Sequence, residues 1–105
     1  MRPIMYVEYK GKGLAGPGRI GWVEMTRTTR SYRYHGRLLM KVKSGYKYNC
    51  IDAETGEHYW VSGPRRDGAD RLYGGMVEID ADAQRQYWTE IRRQPHNVEL
   101  ERYTS

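Results

Sequence analysis

The sequence predicts a mainly β domain, either a small SH3-like barrel or a curled antiparallel sheet, with one C-terminal α-helix. Three observations carry that expectation. Short runs of alternating apolar and polar residues recur along the first three quarters of the chain, punctuated by Gly-containing turns. The aromatic complement is 10 Tyr and 3 Trp with no Phe, and together with the β-branched residues it favours strands. Helical spacing is clearest near the end, where Ala83, Tyr87, Trp88 and Ile91 share a face. The 105 residues suit one domain, read as residues 1–95, with a tail at 96–105 that is an edge strand or disordered.

The elements follow in order. Residues 4–9 form a first strand with Met5, Val7 and Tyr9 on one face. Gly11, Gly13, Gly16, Pro17 and Gly18 then interrupt regular structure. Residues 19–26 form a second strand, in which Ile20 and Trp22 alternate against Val23 and Met25. A polar turn leads to a third strand at 31–35, with Tyr32 and Tyr34 opposite Arg33 and His35, and Gly36 bends the chain into a fourth at 37–43. The clearest hairpin pairs 46–51 with 57–62 around Asp52-Ala53-Glu54-Thr55-Gly56, where a late Gly suits a type I turn closed by a left-handed residue. A polar loop, 63–75, precedes a last short strand at 76–79. The helix is expected over about 81–94: Asp80 or Asp82 caps it, Arg92-Arg93 suit its C-terminal dipole, and Pro95 stops it. Val98 and Leu100 mark the edge strand of the tail.

The net charge of +5 is unevenly spread. Residues 1–51 hold 11 Lys/Arg against Glu8 and Glu24, whereas residues 52–105 hold 7 Lys/Arg against 11 Asp/Glu. Such polarity points to an anionic partner or to head-to-tail self-association, unless folding interleaves the two halves and cancels the field. Cys50 is the lone cysteine, which excludes an internal disulfide. No apolar run approaches membrane-spanning length, and the start lacks a long hydrophobic stretch, so a cytoplasmic protein without membrane partners is expected.

Three segments carry a family resemblance. They are Tyr48-Asn49-Cys50-Ile51-Asp52-Ala53-Glu54-Thr55-Gly56-Glu57-His58-Tyr59-Trp60-Val61-Ser62-Gly63-Pro64, then Asp67-Gly68-Ala69-Asp70-Arg71-Leu72-Tyr73, then Glu78-Ile79-Asp80 with Tyr87-Trp88-Thr89-Glu90-Ile91-Arg92. Together they resemble a family of short, uncharacterised bacterial proteins, some of which carry the label 1-deoxy-D-xylulose-5-phosphate synthase. The resemblance covers most of residues 19–95, and Cys50-Ile51 stands where it implies an aromatic pair. A synthase of that name is a multi-domain thiamine diphosphate enzyme that holds its cofactor through a Gly-Asp…Asn pattern and an activating Glu. This chain has no such pattern and no room for a two-domain cleft, so the resemblance implies a shape and no synthase activity.

The side chains with chemical potential argue against catalysis. His35, His58 and His96 share no metal-ligand spacing with one another or with Cys50, so neither metal nor cofactor is expected. Cys50 could pair with His58 across the hairpin, but nothing nearby supplies a helix N-terminus to lower the thiol pKa, and a buried strand cysteine is the simpler reading. Asp52, Glu54 and Glu57 crowd one turn tip, where they stay solvated.

Two segments suggest binding. In the loop 63–71, Arg65, Arg66 and Arg71 beside glycines offer guanidinium forks to an anion, while Asp67 and Asp70 compete for them. In the basic stretch, Arg19, Arg27, Arg30, Arg33, Arg37, Lys41, Lys43 and Lys47 interleave with Trp22, Tyr32, Tyr34, Tyr46 and Tyr48. On a small sheet, cations track a phosphate backbone while exposed rings stack bases, each stack contributing about 1–3 kcal/mol. The expectation is therefore a non-catalytic module binding single-stranded nucleic acid. The rival readings are a module for an acidic protein or a homodimer, anchored by Trp60, Tyr73 and Trp88, and a small anion binder at the arginine loop.

Overall fold

The computed structural model describes residues 3–11, 16–28, 30–43, 47–71 and 74–105. Among these, nine strands form one mixed sheet: β1 (Ile4–Gly11), β2 (Gly18–Trp22), β3 (Glu24–Met25), β4 (Ser31–Tyr34), β5 (Arg37–Lys41), β6 (Cys50–Asp52), β7 (His58–Ser62), β8 (Met76–Ile79) and β9 (Arg102–Thr104). Their order is β3-β4-β5-β6-β7-β1-β2-β8-β9. The sheet is not closed into a barrel, so the curled form of the expected fold is the one adopted. One departure is the parallel pairing of β2 with β8.

The curl follows from one covalent fact. Only Val23 separates β2 from β3, yet β3 lies at the far edge of the strand order. The sheet must therefore bend back toward β2, and Val23 is fully buried at the bend. The expected single strand at 19–26 is thus two short ones serving different neighbours.

Alternation along the strands splits the apolar side chains between two cores. The concave face gathers Val7, Val23, Tyr32, Tyr34, Leu39, Cys50, Tyr59 and Val61. On the other face Ile4, Tyr6, Ile20, Val77 and Ile79 pack against Ala83, Tyr87 and Trp88, with Tyr103 of β9 completing the cluster. Full burial of each large side chain contributes roughly 2–3 kcal/mol.

The helix α1 spans residues 81–91, as a tight 3-10 turn (Ala81–Ala83), one α turn (Gln84–Gln86) and a wide π turn (Tyr87–Ile91). It ends before the expected residue 94. The Arg92 N–H closes it on Tyr87 O at 3.0 Å, and Arg93 then turns left-handed with φ 54°, so the chain leaves the helix before Pro95 is reached. Pro95 instead opens a further 3-10 turn, Pro95–Asn97. The Arg92 guanidinium lies over the Tyr87, Trp88 and Tyr103 rings at 5.9, 5.0 and 5.0 Å, tying the helix end to β9.

The edge strand of the tail falls later than Val98 and Leu100. Those two carbonyls are occupied by the Gln84 amide (2.8 Å) and the Trp88 indole N–H (2.9 Å). The ladder with β8 begins at Arg102, through Glu78↔Arg102 and Val77↔Tyr103. The hairpin strands are also shorter than expected, and Tyr46 lies outside the described residues. In the hairpin turn Gly56 is left-handed at φ 76° as expected, but Asp52 is not solvated: its buried carboxylate accepts the Glu54 and Thr55 N–H groups at 2.8 and 3.3 Å and meets Arg37 at 2.8 Å.

Candidate functional site

Three polar constructions stand out: a carboxylate junction at Asp80, a cationic end of the sheet at β4–β6, and a cavity under the loop 63–71.

Asp80 follows β8 at the helix start, where the sequence suggests a cap. Its carboxylate makes no cap hydrogen bond. Arg19 instead donates through Nε and Nη2 to Oδ1 at 2.9 and 2.7 Å, and the Tyr34 hydroxyl donates to Oδ2 at 2.6 Å. His35 Nε2 lies 2.8 Å from the same Oδ2 and, since an ionised carboxylate only accepts, carries the hydrogen. Burial works to raise the Asp80 pKa, but the bonds from Tyr34, Arg19 and His35 outweigh it and hold the carboxyl below its ordinary value.

Local geometry makes the junction possible. His35 (φ 48°) and Gly36 (φ 76°) form the two-residue turn between β4 and β5, and positive φ at both positions is the hairpin preference. That turn lays the His35 ring on Tyr34, with centroids 4.0 Å apart. Gly21 supplies the space, because a Cβ there would sit 2.2 Å from Asp80 Oδ2 and 2.8 Å from Tyr34 Cε1. A junction this fully paired joins β2, β4 and β8, and its groups are satisfied by one another.

The cationic end is built differently. Arg30, Arg33, Lys41, Lys43 and Lys47 are all exposed, and none forms an ion pair with a described residue. Arg33 stands on the convex face, opposite Leu38. Lys41 lies on the concave side, with Nζ 4.8 Å from the Tyr32 ring centroid. Strand register places Ser31, Met40, Ile51 and His58 in one row across the convex face. Met40 is 43% exposed there, and Tyr48 stacks on His58 with centroids 3.6 Å apart.

The basic aromatic set of the sequence is therefore divided. Arg30, Lys41, Lys43 and Lys47 lie at one end of β4–β6, where the Lys41 N–H donates to Arg30 O at 2.9 Å, whereas Arg33 lies toward the other end, opposite Glu24 and in the wall of a pocket with Trp22, Asp80 and Asp82. Tyr32 and Tyr34 turn inward, only 8% and 6% exposed, which corrects the expectation of tyrosines displayed beside Arg33. Alternation decides this: on β4, Arg33 points to the face opposite Tyr32 and Tyr34. Arg19 is neutralised by Asp80 and Glu78, and the Trp22 indole N–H is held by Asp82 O at 3.0 Å beside the helix start.

The loop 63–71 largely pairs with itself. Arg65 meets Asp67 through Nε and Nη2 at 3.1 and 3.2 Å, and its N–H donates to Asp70 at 2.7 Å. Arg66 is exposed. Arg71 donates to the Gly74 and Met76 carbonyls at 3.0 and 3.5 Å. A cavity of about 430 Å³ lies between this loop and β1 and β7, with Arg65 and Arg71 in its wall.

The other chemical candidates are quiet. Cys50 is fully buried and pairs with Tyr59, whereas His58 pairs with Ile51 and lies on the opposite face, so thiol and imidazole are kept apart. Burial pushes the Cys50 thiol up to about 11. Among the described residues no group of His, Cys, Asp and Glu could hold a metal ion, and no helix is long and apolar enough to cross a membrane.

Sequence reasoning missed the Tyr48–His58 stack, the Asp80 junction and the buried Glu8–Lys10 pair at 3.3 Å. The last had a visible signal. Tyr6, Glu8 and Lys10 alternate with Val7 and Tyr9 in a strand whose two faces are both covered. Comparison with protein-family models, with curated proteins and with solved structures found no match.

Proposed function

We propose that this protein is a cytoplasmic, non-catalytic module that binds single-stranded nucleic acid at the β4–β6 end of its sheet. Arg30, Arg33, Lys43 and Lys47 follow the phosphates, and a base stacks beside the Tyr48–His58 pair. The observation that carries this reading is the run of exposed cations along β4–β6 without an ion pair to a described residue, in the same part of the sheet as the Tyr48–His58 stack. Phosphate supplies the counter-charge that the described residues leave out, and a ring face accepts any base.

Fluorescence anisotropy with a labelled single-stranded oligonucleotide tests it. Four phosphate contacts give a slope of about −2.8 for log affinity against log salt, a loss of about fiftyfold between roughly 50 and 200 mM. The triple variant Arg33→Glu, Lys43→Glu, Lys47→Glu should abolish binding at low salt while the thermal midpoint stays within a few degrees. Salt-insensitive retention, or none at low salt, ends the proposal. An acidic protein partner would instead survive competition by the oligonucleotide.

A further inference from the structure

The cavity beneath the loop 63–71 lies beyond the cationic end but on the same convex face. Trp60 follows His58 by two residues on β7, so its indole continues the outward row from the Tyr48–His58 stack into the cavity wall. The volume of about 430 Å³ falls within the range of small-molecule sites.

Its charges resolve one by one. Glu8 and Lys10, both nearly fully buried, meet at 3.3 Å and cancel as a pair, with the Tyr6 hydroxyl donating to Glu8 Oε1 at 2.6 Å. Asp70 is committed on both oxygens, accepting from Arg65 N–H at 2.7 Å and from the Tyr103 hydroxyl at 2.7 Å. Arg65 is bound in fork geometry by Asp67. Arg71 alone of the cavity's three cations meets only main-chain carbonyls and no described carboxylate. The site thus presents the Arg71 guanidinium, held only by main-chain carbonyls, beside an indole wall, with the Asp70 carboxylate, whose two partners are neutral donors, in the same lining.

We infer that this cavity takes a single nucleotide unit, its base lying against Trp60 and its phosphate held by Arg71. The inference builds on the strand-binding reading, because the convex row leads a strand from Tyr48–His58 to Trp60. Arg71 supplies the planar fork that a phosphate accepts, and the Glu8–Lys10 floor and Ser62 supply polar edges for a base.

The test titrates the full chain with a nucleoside 5′-monophosphate, the matching nucleoside, inorganic phosphate and benzoate, following tryptophan fluorescence, with Trp60→Phe to assign the signal. The monophosphate should quench Trp60 saturably, and the nucleoside should bind at least about tenfold more weakly for want of the charge-assisted contact. Arg71→Lys should weaken the monophosphate about tenfold, because an ammonium cannot reproduce the fork. Ala69→Trp, which fills the cavity without removing a charge, should abolish the signal while leaving the melting temperature unchanged. If the oligonucleotide binds with the expected salt slope but the monophosphate leaves Trp60 unaffected, the cavity assignment is overturned and the strand-binding proposal stands. If the monophosphate binds and the oligonucleotide does not, the cavity assignment is supported and the strand-binding proposal falls. Benzoate binding as tightly as the monophosphate would overturn the nucleotide assignment.

Discussion

Arg19 and Arg33 stand on neighbouring parts of one basic stretch, yet they meet opposite fates. Arg19, with His35, is drawn onto Asp80 in a junction where the carboxylate has three side-chain partners. Arg33, with Arg30, Lys43 and Lys47, is exposed and without an ion pair to a described residue. The difference teaches that charge has two uses in this fold. Near β8 it fastens strands distant in sequence, and along β4–β6 it stays exposed without an ion pair to a described residue.

That contrast can be broken most forcefully at the junction. Asp80→Ala leaves a buried tyrosine hydroxyl and an imidazole without their acceptor and Arg19 with Glu78 alone, and should cost about 3 kcal/mol of unfolding free energy in denaturant melts with an unchanged slope. The same carboxylate sets an acid dependence. The folded-state pKa values of Asp80 and Asp52 are lowered, so their stabilisation is complete above the ordinary carboxylate range and is lost as pH falls through the folded values. In Asp52 burial again opposes the shift, and the Glu54 and Thr55 N–H groups with Arg37 reverse it. Urea melts from pH 7 down to pH 2 should show a shallower acid limb in Asp80→Ala than in the parent. Gly21→Ala comes next, at about 2 kcal/mol, because its Cβ would displace Asp80 Oδ2 from a site where Tyr34 and His35 hold it. Smallest should be Lys41→Ala, about 0.5 kcal/mol for an exposed cation over Tyr32. A loss at Lys41 equal to that at Gly21 would erase the distinction between the two regions.

Strand content was readable where alternation was regular, as in 31–35 and 76–79, and the helical face of Ala83, Tyr87 and Trp88 was equally plain. The interruption at Val23 was not, because a residue that bends a strand into two sheet positions looks the same in sequence as one that continues it. The cations of the basic stretch are exposed, but two of the tyrosines expected beside them are buried. Tyr32 and Tyr34 carried the right chemistry on the inward phase of the pleat, while Tyr48 and His58 became neighbours only through tertiary placement. Asp80 illustrates the same limit. Local sequence offers it a helix N-terminus, and three donors from distant strands outbid that role.

The hairpin of β1 and β2 is flanked by β7 on one side and β8 on the other. It forms first in the chain, yet both outer neighbours come from far downstream, through Tyr6↔Ser62 and Ile20↔Ile79. Loop closure must be completed before those contacts reward it, which sets folding in the slow, non-local regime of milliseconds to seconds. Until then two apolar faces of one hairpin stand open to water. The protein's exposure to misassembly is therefore governed less by its final stability than by how long its oldest strands wait for their youngest neighbours.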